Sequence, residues 1–209
     1  MSTATKGRFR YGTSSWSEKS WIGPFYPPGT KPADVLACYA TQFGTVEADT
    51  TYYRVPAKEM IRGWRAKTPS EFVLAPKFPR SVVHGGEDAK PDGRRVLAWP
   101  SVAKDVEAFL DAMGELGKKC GPLVVQLPYF NRTAFAGLDP FLERLERFLE
   151  ELPAGFRYGV EVRNKSWIGE ELLEGLLSRV REVYAYANNH YAGFGPATIR
   201  ELARKLVAE

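Results

Sequence analysis

Cysteine and histidine are scarce in this chain, and the scarcity removes whole classes of function. Two cysteines and two histidines in 209 residues are too few for a disulfide-stapled scaffold or a His-rich multi-zinc centre. Cys38 and Cys120 have no CxxC spacing, so both are expected to be small buried side chains in a reducing compartment. Long apolar runs are missing too: none approaches the roughly 20 residues of a membrane span. Met1 to Arg10 has no apolar core of signal-peptide length, so the expected location is cytoplasmic, with no membrane partner. Nor does one sign of charge dominate, since 29 Lys and Arg stand against 25 Asp and Glu, a net +4. That balance is too slight to argue for nucleic acid by itself. No GxGxxG, Walker, GxSxG or metalloprotease spacing occurs, which leaves nucleotide-cofactor and serine-hydrolase readings without footing. No cofactor is evident, and the oligomeric state is open.

What the chain does have is one local plan repeated six times: a short apolar run ending on a polar residue, followed by a helix-like stretch. The runs are 9–14, 45–49, 72–77, 123–126, 158–163 and 183–189. Strands alternating with helices imply parallel neighbours, because a parallel pair needs a long crossover. The 44% hydrophobic content is enough for one core, and no linker interrupts residues 1–209, so a single α/β domain is expected. Apolar spacing predicts helices over 32–43, after Pro56 with Met60, Ile61 and Trp64 buried, over 102–116, over 138–152, over 167–180 and over 196–207. Gly85 to Gly93 reads as a mobile loop.

Ligand sites of parallel sheets lie at the carboxyl ends of the strands. Those ends carry Glu47, Asp49, Lys77, Gln126, Glu161, Arg163 and Asn188. Glu47 and Asp49 are two apart on one strand and share a face, as do Glu161 and Arg163. Glu47 and Glu161 are candidate catalytic carboxylates, placed as in barrel glycosidases; the plainer alternative is a structural ion network of Glu161 with Arg163 or Lys77. Lys77 is a clamp for phosphate or carboxylate, or a base if desolvated, unless it only pairs with Glu47 or Asp49. Gln126 and Asn188 offer hydrogen-bond arms to a ligand or to a packing network. His84 and His190 follow strand ends, as candidate acids, ligands or solvated loop residues. A single divalent metal on Glu47, Asp49 and Glu161 is not excluded. Trp16, Trp21, Phe25, Tyr26, Tyr52 and Tyr53 follow the first two strands, and Trp16 and Tyr52 are candidate ligand contacts at the rim. Arg54, Lys58, Arg62 and Arg65 make either a solvated helix face or a phosphate-backbone contact. Two function classes result: a hydrolase-like enzyme acting on a small polar sugar- or phosphate-containing ligand, and a non-catalytic binder of nucleic acid or a phosphorylated ligand.

Several blocks together resemble one family. They are Gly12-Thr-Ser-Ser-Trp16, Trp21-Ile-Gly-Pro-Phe-Tyr-Pro27, Thr45-Val-Glu-Ala-Asp-Thr-Thr-Tyr-Tyr53, Lys77 with His84, Gln126-Leu-Pro128, Val160-Glu-Val-Arg163 with Ser166-Trp167, and Asn188-Asn189. Their order over nearly the whole chain resembles the domain of unknown function 72 family, also called YecE-like. The resemblance implies a parallel (β/α) barrel of TIM-barrel type and no assigned reaction. It also implies that His84 reaches back over the third strand's end; the 85–93 loop, polar, glycine-bearing and adjacent to the expected cleft, is then expected to act as a lid, the alternative being an ordinary surface loop with His84 in solvent. This chain departs from the family pattern at Asp49, where an asparagine is usual, and at Ser15, where glycine is usual. Between Trp167 and the last strand there is room for one helix only. The expected barrel therefore has about six units, either as a shortened form or because an internal segment is missing.

Overall fold

The computed structural model describes residues 8–164 and 182–187. All six expected strands form: β1 (Arg8–Thr13), β2 (Thr45–Ala48), β3 (Val73–Pro76), β4 (Leu123–Gln126), β5 (Tyr158–Glu161) and β6 (Glu182–Ala187). Every pairing among them is parallel. β1 lies beside β6, β2 beside β3 with Glu47 opposite Ala75, and β4 beside β5 with Gln126 opposite Glu161. β3 and β4 are joined by single bridges, Leu74 to Cys120 and Lys77 to Val124. The Gly121 and Phe78 amides reinforce them, donating to the carbonyls of Leu74 at 2.6 Å and Val124 at 2.9 Å.

The seam between β1 and β2 is held differently. The Tyr39 hydroxyl, projecting from helix α1 (Val35–Ala40), accepts from the Thr13 amide at 2.8 Å and donates to the Thr45 carbonyl at 3.2 Å. Gly12 makes the approach possible, since a Cβ there would run into the Thr45 carbonyl and the Tyr39 hydroxyl. These links set the strands in the spatial order β6, β1, β2, β3, β4, β5. The expectation of one continuous barrel sheet is met in part only. Among the described residues the strands form three two-stranded ladders, β5 and β6 are not paired with each other, and no closed barrel results. Most of these strands are only four residues long, so each ladder is short and its neighbours are held by single bridges or side chains.

The helices cover the sheet with the expected apolar stripes. Helix α3 (Lys58–Lys67) buries Ile61 and Trp64, whereas Met60 is 51% exposed, contrary to expectation. Pro56 precedes the α3 N-cap, Ala57, rather than lying in its first turn. Helix α5 (Trp99–Met113) starts with Pro100 in its first turn, where the absent N–H is not missed, and buries Val102, Val106, Phe109 and Met113. Helix α6 (Leu138–Glu151) buries Phe141, Leu145 and Phe148. The turns α2 (Thr50–Tyr53), α4 (Arg80–Val83) and a 3-10 turn at Lys19–Trp21 are additional. Four residues are too few for a periodic signal. The helices expected at 167–180 and 196–207 lie outside the described residues. Cys38 and Cys120 are free thiols, each half-buried rather than enclosed.

Candidate functional site

Strand register decides which side chains share a face. Glu47 stands opposite Ala75, and Lys77 is two residues beyond Ala75, so both point the same way. Lys77 bridges to Val124, which puts Gln126, two further on, on that face as well. Gln126 is opposite Glu161. The register thus brings Glu47, Lys77, Gln126 and Glu161 to one face and one end of neighbouring strands. Asp49 departs from the expected alternation: β2 ends at Ala48, and Asp49 has helical torsions at the start of α2.

The centre of this face is an ion pair. Lys77 Nζ lies 2.9 Å from Glu47 Oε2, and both side chains are only 9% exposed. Burial pushes the Glu47 carboxyl above its ordinary range against the pull of Lys77, and the neighbouring Glu161 and Asp49 carboxylates push it further. Asp49 is raised too, by burial first, with Lys77 and backbone N–H groups opposing. Glu47 therefore sits within electrostatic reach of both Glu161 and Asp49, and Lys77 acts on Glu47 and Asp49 alike. Thr51 holds the frame. Its buried hydroxyl lies 2.9 Å from the Ala48 carbonyl and 2.7 Å from the Lys77 carbonyl, and it accepts from the Lys77 amide at 2.9 Å. It thereby pins the end of β2 to the end of β3.

On the far side, Arg163 Nε donates to Glu161 Oε1 at 3.2 Å, and both side chains are about half exposed. The pairings named above as plainer alternatives, Lys77 with Glu47 and Arg163 with Glu161, are both present. Gln126 is buried. Asn164 fixes the loop after β4, exchanging two 2.8 Å hydrogen bonds with the Phe130 amide and carbonyl. Among the described residues no group of three or more His, Cys, Asp or Glu side chains is disposed to hold a metal ion.

His84 is buried, not solvated. Its Nε2 lies 2.6 Å from the Tyr52 hydroxyl, a hydrogen bond whose direction depends on the imidazole tautomer. This contact joins the loop after β3 to the turn after β2. Burial, then Arg80, lowers the His84 pKa; the backbone of Asp88 and Ala89 opposes, and Arg163 adds to the lowering. Nδ1 nevertheless makes no hydrogen bond of good geometry among the described residues. The loop at 85–93 is pinned at its base. The Asp92 amide donates to the His84 carbonyl at 2.9 Å, and Gly85, at φ +73°, packs where a Cβ would lie 2.6 Å from the Val96 nitrogen. Arg144 clasps its far end through the Val96 carbonyl at 2.9 Å.

The aromatic group divides. Trp16 is 7% exposed and packs edge-on against Trp64 at 5.2 Å, and Trp21 and Tyr26 are also in the core. Tyr52 is half-buried, while Tyr53 at 66% and Tyr129 at 67% are exposed. The basic stripe is largely neutralised: Lys58 pairs with Asp111 at 2.7 Å and Arg62 with Glu115 at 2.9 Å, while Arg65 donates to the Glu115 carbonyl. Asn188 and His190 lie outside the described residues. Sequence reasoning missed Thr51, Arg80 and Asn164, each on a short turn or loop with no periodic signal. The block Ala48-Asp49-Thr50-Thr51 right after a strand is the one cue that could have exposed Thr51.

The pattern of the family described as "Protein of unknown function DUF72" matches residues 10–179. The UPF0759 protein YecE of Escherichia coli K12 is 30% identical over 168 residues, covering 80% of this chain and 53% of YecE; YecE of E. coli O157:H7 matches equally. The chain spans about half the length of these curated relatives. A solved DUF72 family structure from Thermotoga maritima superposes with a TM-score of 0.58 at 24% identity, over 96% of this chain and 99% of that one. Another, from Enterococcus faecalis, gives 0.55 at 23% identity over 81% and 56%. These likenesses concern the α/β fold with parallel strands. With most of its length matched by the family pattern, the chain belongs to the DUF72 family.

Proposed function

We propose that the carboxyl ends of these strands form the mouth of a TIM-barrel-type enzyme. Glu47 and Glu161 are its acid–base carboxylates, acting on a small polar ligand that contains a sugar or phosphate. The observation supporting this most strongly is the buried 2.9 Å pair of Glu47 and Lys77, on the face that also bears Gln126 and Glu161. A carboxyl held above its ordinary range keeps its proton to higher pH than an ordinary one, which suits acid–base work. Lys77 and Arg163 counter negative charge that develops on the ligand, and Gln126 orients it. Asp49 tunes Glu47 through its charge, and Asn188 is assigned a ligand-binding role on the sequence pattern alone. Tyr53 and Tyr129, exposed after β2 and β4, supply apolar faces for a sugar ring in the role expected of Trp16. The neutralised α3 stripe gives no support to nucleic-acid binding.

The test is hydrolysis of a panel of p-nitrophenyl glycosides and p-nitrophenyl phosphate by the parent chain, Glu47→Gln and Glu161→Gln. Turnover by the parent that falls roughly 100-fold or more in each variant is expected, the scale of general acid–base catalysis. Equal turnover in all three proteins refutes the assignment.

A further inference from the structure

We propose that Arg80, together with Tyr52 and His84, forms an oxyanion-binding subsite beside the Glu47–Lys77 pair, so that the ligand carries a phosphate or carboxylate group. The inference deepens the reading above and relies on it for the identity of the ligand. The subsite's geometry is independent. α2 and α4 follow adjacent parallel strands and are tied at their bases by Thr51, which bonds to both the Ala48 and Lys77 carbonyls. Both turns therefore emerge at the strand ends that carry Glu47 and Lys77.

Arg80 stands on this platform in an unusual state. Its guanidinium carbon lies 5.4 Å from the Tyr52 ring centre and 5.5 Å from that of Tyr53, so two aromatic faces fix its position. It has no carboxylate partner among the described residues. Its one hydrogen bond there is from NH1 to the Glu87 carbonyl at 3.3 Å, and its Nε is enclosed without any. Arg163, the other arginine acting on His84, is committed to Glu161. A positioned guanidinium with most of its fork unused is a natural partner for a phosphate or carboxylate oxygen pair. Next to it, the Tyr52 hydroxyl lies 2.6 Å from His84 Nε2; when that nitrogen carries the proton and donates to Tyr52, the hydroxyl's own proton is free for a ligand. The charged groups facing His84 are Arg80 and Arg163, both cationic, beside the backbone of Asp88 and Ala89. An anion seated there would relieve that concentration of positive charge.

The experiment is an NMR titration of the His84 imidazole, distinguished from the only other histidine by a His190→Gln variant. Inorganic phosphate and sodium acetate are added separately at constant ionic strength. Saturable shifts of the His84 resonances are expected, and its ionisation should move to higher pH, since a bound anion stabilises imidazolium. Saturation by phosphate alone identifies a phosphorylated ligand, and by acetate alone a carboxylated one. Arg80→Met should weaken the anion affinity at least tenfold. Because that variant alters the packing of Tyr52, Arg80→Lys is measured beside it: it keeps the charge but loses the fork, and should lose affinity as well. No saturable shift with either anion, or unchanged affinity in both variants, overturns the proposal. The subsite and the acid–base reading are separable. Glu47→Gln removes a negative charge next to the subsite and should bind anion at least as tightly as the parent, so anion binding without turnover in the parent would leave the subsite standing and remove the catalytic assignment.

Discussion

Replacing Lys77 by Met would leave Glu47 buried without its counter-charge, and the consequence can be worked from the pair itself. Both side chains are 9% exposed at a separation of 2.9 Å, so solvent screening is weak. Breaking a buried pair by removing one partner costs about 3–5 kcal/mol. In a chain of this size each 1 kcal/mol lowers Tm by roughly 2–4 °C, so a fall of roughly 6–20 °C is expected at neutral pH. The pH dependence follows from the sign of the Glu47 shift. Its folded-state pKa is raised, so the folded protein binds this proton more tightly than the unfolded chain. The stabilisation that results is fully present below the unfolded carboxyl range and is lost as pH rises through the folded value. Lys77 limits that loss; without it the folded pKa climbs further and the loss grows. Urea unfolding at pH 5 and pH 8 should therefore show the Lys77→Met deficit narrowing in acid. Glu47→Leu combined with Lys77→Met should recover most of the stability, since both charges are then gone. A Lys77→Met deficit below about 1 kcal/mol that does not vary with pH would mean a screened surface pair, and would refute the reasoning.

Two smaller perturbations test other parts of the frame. Thr51→Val keeps the shape but removes the hydroxyl that accepts from the buried Lys77 amide at 2.9 Å, leaving that amide only the Ala48 carbonyl at 3.5 Å. A loss of about 1–3 kcal/mol in chemical denaturation is expected, and no change would remove Thr51 as the link between β2 and β3. Arg62→Ala breaks an exposed pair with Glu115 and should change stability little, and less still at high salt. It should also leave affinity for duplex DNA unaffected, and a large, salt-sensitive loss would return α3 to the list of nucleic-acid contacts.

Strand positions were legible in the sequence because each run is apolar, short and followed by a crossover-length helix. Their ends were read within two residues, as with Thr45–Ala48 against 45–49 and Tyr158–Glu161 against 158–163. The polar residues at those ends followed directly, since register then fixes which of them share a face. Legibility stopped where period stops. Asp49 looked like a strand residue by alternation, but the chain turns helical there. Trp16 and Tyr53 are the same kind of residue in the same kind of loop, yet one is buried against Trp64 and the other exposed. Only the packing of α3 separates them. The basic stripe of α3 likewise looked free because its partners, Asp111 and Glu115, are some 50 residues away in sequence. Closure of the sheet was beyond reach for a related reason: strand count and crossover length say nothing of which edges pair.

Glu47 and Glu161 share one crowded polar face, with Lys77 paired to Glu47. Carbon-13 NMR of the Glu47 side-chain carboxyl through a pH titration tests this most directly, in the parent chain and in Glu161→Gln. Glu47 should titrate above the ordinary glutamate range, chiefly because it is buried, and its midpoint should fall when the Glu161 charge is removed. A Glu47 midpoint at or below that range, unmoved by Glu161→Gln, would contradict the claim.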